Sequence, residues 1–196
     1  AWWKILAVLI IFYTIFLGLL VPLKHGITAV TPSSLTGGQA VDLLIDGYNS
    51  RFRTPAEIRV WLKMDDEHAI AAEKIRVVNE NQIAATFQLP NDLPFSGKVK
   101  DFTLVVDNAQ EGTSVLPNAV YITKSDSLSG TYVNAKIENL TKSSGMTYPF
   151  RNILAETIRN TYFHVPLWFP MFALFFTALM NSWKFLRTND LRYDHN

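Results

Sequence analysis

The chain has 196 residues, 48% of them hydrophobic, a formal net charge of +1 and no cysteine. The charge gives no electrostatic case for a nucleic-acid partner. The absence of cysteine excludes disulfides, thiolate metal sites, cysteine nucleophiles, covalent c-type haem attachment and a lipid-modified cysteine anchor.

The apolar residues are concentrated at the two ends. Ile5 to Val21 reads ILAVLIIFYTIFLGLLV, uncharged and diluted only by Tyr13, Thr14 and Gly18. With Trp2 and Trp3 it approaches the roughly 20 residues that cross a bilayer as a helix. Tryptophans beside Lys4 suit an interfacial anchor. A cleaved signal peptide would have an apolar run of about 7–15 residues ending in small residues, and GLLVPLKHG offers no such site. A retained transmembrane helix is therefore expected over residues 1–23.

Residues 24–124 are expected to form an extracytoplasmic β domain. Strand-like alternation appears at 41–45, 58–62, 75–78, 83–89, 99–106 and 115–122. Turn signals at Pro32-Ser33-Ser34, Gly37-Gly38, Asp46-Gly47, Pro90-Asn91-Asp92 and Glu111-Gly112 punctuate these runs. About seven short strands in roughly 100 residues is the pattern of an immunoglobulin-like β-sandwich. Trp61 is expected in its core. Asp65-Asp66-Glu67-His68 reads as a solvated hairpin tip, since consecutive residues cannot all converge on one ion. Asn139-Leu140-Thr141 matches a glycosylation triplet, a pattern common by chance.

Residues 125–149 are rich in Ser, Thr and Gly and read as a linker. Over 150–163, Phe150, Ile153, Leu154, Ile158 and Tyr162 recur at helical spacing, as in an amphipathic interfacial helix. A second transmembrane helix is expected over 164–187, with Pro166 and Pro170 in its first turns, Trp168 and Trp183 near its ends, and a cytoplasmic tail over 188–196. Lys4, Lys184, Arg187 and Arg192 place both termini in the cytoplasm by the positive-inside rule, and residues 22–160 outside. The fold class is thus membrane α plus all-β: two transmembrane helices flanking an extracytoplasmic sandwich.

No Gly-rich phosphate loop, nucleophile elbow or catalytic constellation appears, so no enzymatic activity is expected. His164 is the ionisable residue of interest, because such a side chain at the edge of a membrane helix is costly. Neutral imidazole is a common axial ligand of haem iron; the plainer reading is an interfacial histidine hydrogen-bonded to headgroups or water.

Two resemblances extend these readings. ITAVTPSSLTGGQAVDLLIDGYN with GTSVLPNAVYI resembles immunoglobulin-like domains of the IPT/TIG type over residues 27–123; such domains usually bind or space. Arg159-Asn160-Thr161-Tyr162-Phe163-His164-Val165-Pro166-Leu167-Trp168-Phe169 resembles the opening of the second span of the haem exporter C family of cytochrome c biogenesis proteins, which shares its core with CcsA-type synthases. Trp2-Trp3-Lys4 and Gly18-Leu19-Leu20-Val21-Pro22 resemble the first span; the matching segments are about 1–23 and 151–196.

That resemblance implies a haem-handling protein of the bacterial inner membrane, which presents a transiently held b-type haem on the outer face. The haem would pass to a periplasmic haem chaperone, an apocytochrome or cytochrome c synthase components. It implies His164 as an axial ligand of the haem iron, with Trp168 and Phe169 walling the haem. Arg159 would pair with a propionate, or equally anchor the helix at the headgroups. Neither the family's tryptophan-rich loop nor a second outer histidine at a helix end is present. His25 matches no motif, and His195 falls on the cytoplasmic side. The chain is therefore expected to be the N-terminal part of a longer protein, or a split or truncated copy, with missing C-terminal spans as partners and no haem held by this fragment alone. The alternative expectation is a membrane-anchored extracellular recognition module whose sandwich binds a protein or glycan.

Overall fold

In the computed structural model, residues 2–125, 132–143 and 145–193 are described. The chain divides into two compact units: residues 1–22 with 154–196, and residues 23–153.

The first unit is helical. Helix α1 spans Trp2–Ile15 and passes into a π-helical turn over Phe16–Leu20. Helix α2 spans Ile158–Thr188, preceded by a single 3₁₀ turn at Ala155–Thr157. It ends where Asn189 turns left-handed at φ 51° and its N–H caps Phe185 O. The expected break between an interfacial helix and a span at residue 164 is absent, because nothing from Ile158 onward interrupts the helix. Pro166 and Pro170 consequently lie inside it rather than in its first turns. Each removes one backbone hydrogen bond, a cost that membrane helices tolerate through local adjustment.

Both helices are long and apolar enough to cross a membrane. Their apolar side chains are almost all exposed: Phe12 is 67% exposed, Leu20 68% and Phe175 66%. Apolar surface on this scale needs cover from lipid or protein.

Among the described residues, the second unit holds nine strands in two sheets. They are β1 Gly26–Thr31, β2 Ser34–Thr36, β3 Ala40–Tyr48, β4 Ile58–Lys63, β5 Ala69–Ala71, β6 Lys74–Asn79, β7 Gln82–Gln88, β8 Val99–Asn108 and β9 Gly112–Thr123. One sheet runs β1-β3-β7-β6 and the other β2-β9-β8-β4-β5; β2 lies parallel to β9 and the other pairs are antiparallel. Strands β2 and β5 have three residues each, too short for alternation to reveal.

Inward residues of both sheets form one core, including Ile27, Leu43, Ile45, Leu62, Ile83, Phe87, Phe102, Leu104, Val120 and Ile122. Asp46-Gly47, expected as a turn, lies inside β3. Gly47 is needed there for closeness: a Cβ would come within 2.4 Å of Ser50 Oγ and 2.9 Å of the Phe52 ring.

Trp61 is buried, as expected, but not between the two sheets. Val60 and Leu62 point inward, so strand alternation turns Trp61 to the opposite face. It is still 6% exposed, because that face is covered. The Arg59 guanidinium lies over its ring, and the segment read as a linker crosses the same sheet face. Its described part, residues 132–143, is a strap bound across the outer face of the five-stranded sheet. Ala135 N donates to Ala69 O on β5, and Thr113 N on β9 donates to Thr141 O. The chain returns to its start at the sandwich end, where Leu23 bridges Tyr148 and Lys24 N donates to Tyr148 O at 2.8 Å. Phe150 then stacks on Tyr48 with ring centroids 5.4 Å apart.

Candidate functional site

In the helical unit, the turn carrying His164 is held at the end of the first apolar helix. A Cβ on Gly18 would lie 1.9 Å from Phe163 Cζ, so only glycine admits this ring. Arg159 Nη1 donates to Gly18 O at 3.1 Å and to Val21 O at 2.6 Å, while its Nε donates to Glu156 Oε2 at 2.7 Å. These carbonyls close the π-helical turn, whose last C=O groups lack continuing helical donors.

His164 itself is exposed on α2. Its ring meets Trp168 edge-on with centroids 5.4 Å apart. The two lie four residues apart and share one helix face. Phe169 is 73% exposed, and at 3.6 residues per turn it lies about 140° round the helix from His164. The structure therefore brings His164 and Trp168 together and leaves Phe169 on another face. Arg159 is committed to protein oxygens, with its side chain 17% exposed. A single exposed imidazole with an aromatic neighbour fits one axial position of a haem and part of its wall. Among the described residues, no group of three or more His, Asp or Glu could hold a metal ion. His195 lies outside the described residues.

The sandwich carries a second polar constellation. Asp107, 1% exposed on the outer face of β8, accepts four hydrogen bonds. The donors are Arg59 Nη2 at 2.6 Å, Thr113 Oγ1 at 2.7 Å, Thr141 N at 2.9 Å and Thr141 Oγ1 at 3.2 Å. Burial raises this carboxyl's pKa, but the bonds from Thr113, Arg59 and Thr141 outweigh it and hold it below the usual value. Arg59 Nη2 also donates to Asn139 O at 2.6 Å, and its guanidinium lies 5.2 Å from the Trp61 ring centroid. The glycosylation triplet thus has its threonine hydroxyl turned to Asp107, with Asn139 exposed.

Asp65-Asp66-Glu67-His68 closes the β4–β5 hairpin as expected. Asp65 Oδ1 accepts from the backbone N–H of Glu67 at 2.9 Å and of His68 at 2.8 Å. Between this tip, the strap and the outer sheet face lies an open groove of about 700 Å³. His25 lies at the opposite chain-end region of the sandwich, in a smaller polar cleft with Lys24, Arg51 and Glu111. Its Nε2 is buried without a hydrogen-bond partner among the described residues, and burial lowers its pKa.

Asp107 and the groove were not anticipated from sequence. The available signal was apolar character on both parities of a strand: Trp61 beside Val60 and Leu62, and Val105 beside Leu104 and Val106. A strand apolar on both faces is covered on both. No protein-family model matches the chain, and no curated protein matches it in sequence.

Proposed function

We propose that this chain is a membrane-anchored haem-handling protein segment for cytochrome c maturation. Helices α1 and α2 both cross a bacterial inner membrane. The basic flanks Lys4, Lys184, Arg187 and Arg192 stay in the cytoplasm, and an immunoglobulin-like sandwich of the IPT/TIG type faces the periplasm. Haem is cargo, presented at the outer face and passed to a periplasmic chaperone or synthase. The observation that carries the reading is His164: an exposed imidazole on α2, beside Trp168, one residue after the Phe163–Gly18 contact that joins the two apolar helices. It falls within the segment that resembles the haem exporter C signature. Its imidazole supplies one axial ligand and Trp168 one wall; the second axial ligand comes from outside the described residues. Arg159 acts at a distance from the iron by fixing the end of the first span through Gly18 O and Val21 O.

The test is an absorption spectrum of the complete gene product purified in detergent, wild type beside His164→Ala. A six-coordinate haem signature lost or shifted in the variant supports the reading. Identical spectra, or no haem in either folded sample, overturn it. A second reading, a membrane-anchored recognition module, is favoured by the groove on the sandwich and would then account better for the chain.

A further inference from the structure

The five-stranded sheet shows three rows across its outer face, fixed by the strand registers. They are Arg59–Asp107–Thr113, Trp61–Val105–Val115 and Lys63–Thr103. The strap crosses the first row, where Asp107 and Arg59 bind it, and touches the sheet again at Ala69. Between these attachments it stands over the other two rows and leaves the groove open. The floor is apolar, made by Val105, Val115 and Ala69, with Leu140 and Ile137 on the strap side. Val115 is 54% exposed and Leu140 43%.

The rim is acidic. Four carboxylates, Asp65, Asp66, Glu67 and Glu138, line it with Lys63, Lys136 and His68, whose Nδ1 lies 2.8 Å from Asp65 Oδ1. Lys63 is already paired with Asp66 at 2.6 Å. Exposed apolar side chains, Val115 and Leu140, set between carboxylates select a partner by both terms: burial drives association, and opposite charge sets orientation and excludes acidic competitors.

We propose that this groove is a docking site for a basic, apolar segment of a partner protein, with lysine or arginine meeting Glu67 and Glu138 and an aliphatic side chain covering Val115 and Leu140. The inference develops the sandwich as a recognition element and stands apart from haem ligation by His164, which the absorption spectrum tests separately.

The experiment uses the full chain in detergent and three fluorescein-labelled peptides read by anisotropy: alternating Lys/Leu, Lys/Ser of equal charge, and Glu/Leu. The Lys/Leu peptide should bind at least about tenfold more tightly than either control. The Glu67→Lys/Glu138→Lys variant, altered at exposed positions that leave the core intact, should lose about that factor, as should Val115→Ser, which removes apolar contact without adding charge. Equal binding of Lys/Leu and Glu/Leu peptides would overturn the proposal. So would affinity unchanged in the folded Glu67→Lys/Glu138→Lys variant, which would place the peptide on the micelle or elsewhere on the chain. Sedimentation showing a dimer that Val115→Ser dissociates would also overturn it, since the occupant would then be a second copy.

Discussion

Arg59 Nη2 lies 2.6 Å from Asp107 Oδ2 and the same distance from Asn139 O, so one guanidinium ties a sheet strand to the strap that crosses it. The strap has no strand or helix of its own, yet Asp107 beneath it is 1% exposed. A buried carboxylate is stable only where donors surround it, and here two of the four come from Thr141 of the strap. Strap and carboxylate therefore hold each other in place.

Removing the carboxylate should release the strap. Asp107→Ala leaves the Thr141 amide without its acceptor and the Arg59 guanidinium without its counter-charge, held only by strap carbonyls. The expected loss is about 3 kcal/mol, since Arg59 retains some solvent contact. Chemical denaturation measures it, and limited proteolysis should show new cleavage within residues 132–143. Unchanged cleavage there would mean the strap is held by other contacts.

The same group sets an acid limit. Hydrogen bonding lowers Asp107 below its ordinary value of 3.8 in the folded state. The unfolded chain thus takes up the proton first as pH falls. The contribution is complete above about pH 4 and is lost as pH falls through the folded pKa. A denaturation series in acid should show this loss in the wild type and a flatter profile in Asp107→Asn.

His25 acts in the opposite part of the range and from a different cause. Burial lowers its pKa from the ordinary 6.5, so the folded state resists protonation. Stability is full above that value and declines as pH falls from 6.5 toward the folded pKa, because the unfolded chain binds the extra proton. Melting temperature should fall between about pH 7.5 and about pH 5.5, and His25→Gln should reduce the slope. An unaltered slope in that variant would assign the effect to another group.

The helix contact makes a separate prediction. Gly18→Ala sets a methyl 1.9 Å from Phe163 Cζ, so the ring must move. Overpacking of this kind costs about 1–3 kcal/mol. Thermal stability in detergent should fall in Gly18→Ala and recover in Gly18→Ala/Phe163→Ala, where the ring is gone. Failure of the second substitution to rescue the first would separate the two residues.

By itself the sequence determined the two long apolar helices, because close to twenty mostly apolar residues in succession form a helix long enough to cross a membrane, and it located the longer strands within a few residues of their ends. It marked His164 and Trp168 as four residues apart, which any helix converts into a shared face. Local signals settle these features because helix and strand periods act over neighbouring residues. The tertiary structure decided what depends on pairing between distant residues. It placed Asp46-Gly47 inside β3, turned Trp61 to a covered outer face, and made a strap of a Ser- and Thr-rich segment that composition reads as a linker. Asp107 meets Thr141 across 34 residues of chain. Only the fold brings such partners within hydrogen-bonding distance, and no local period encodes that approach.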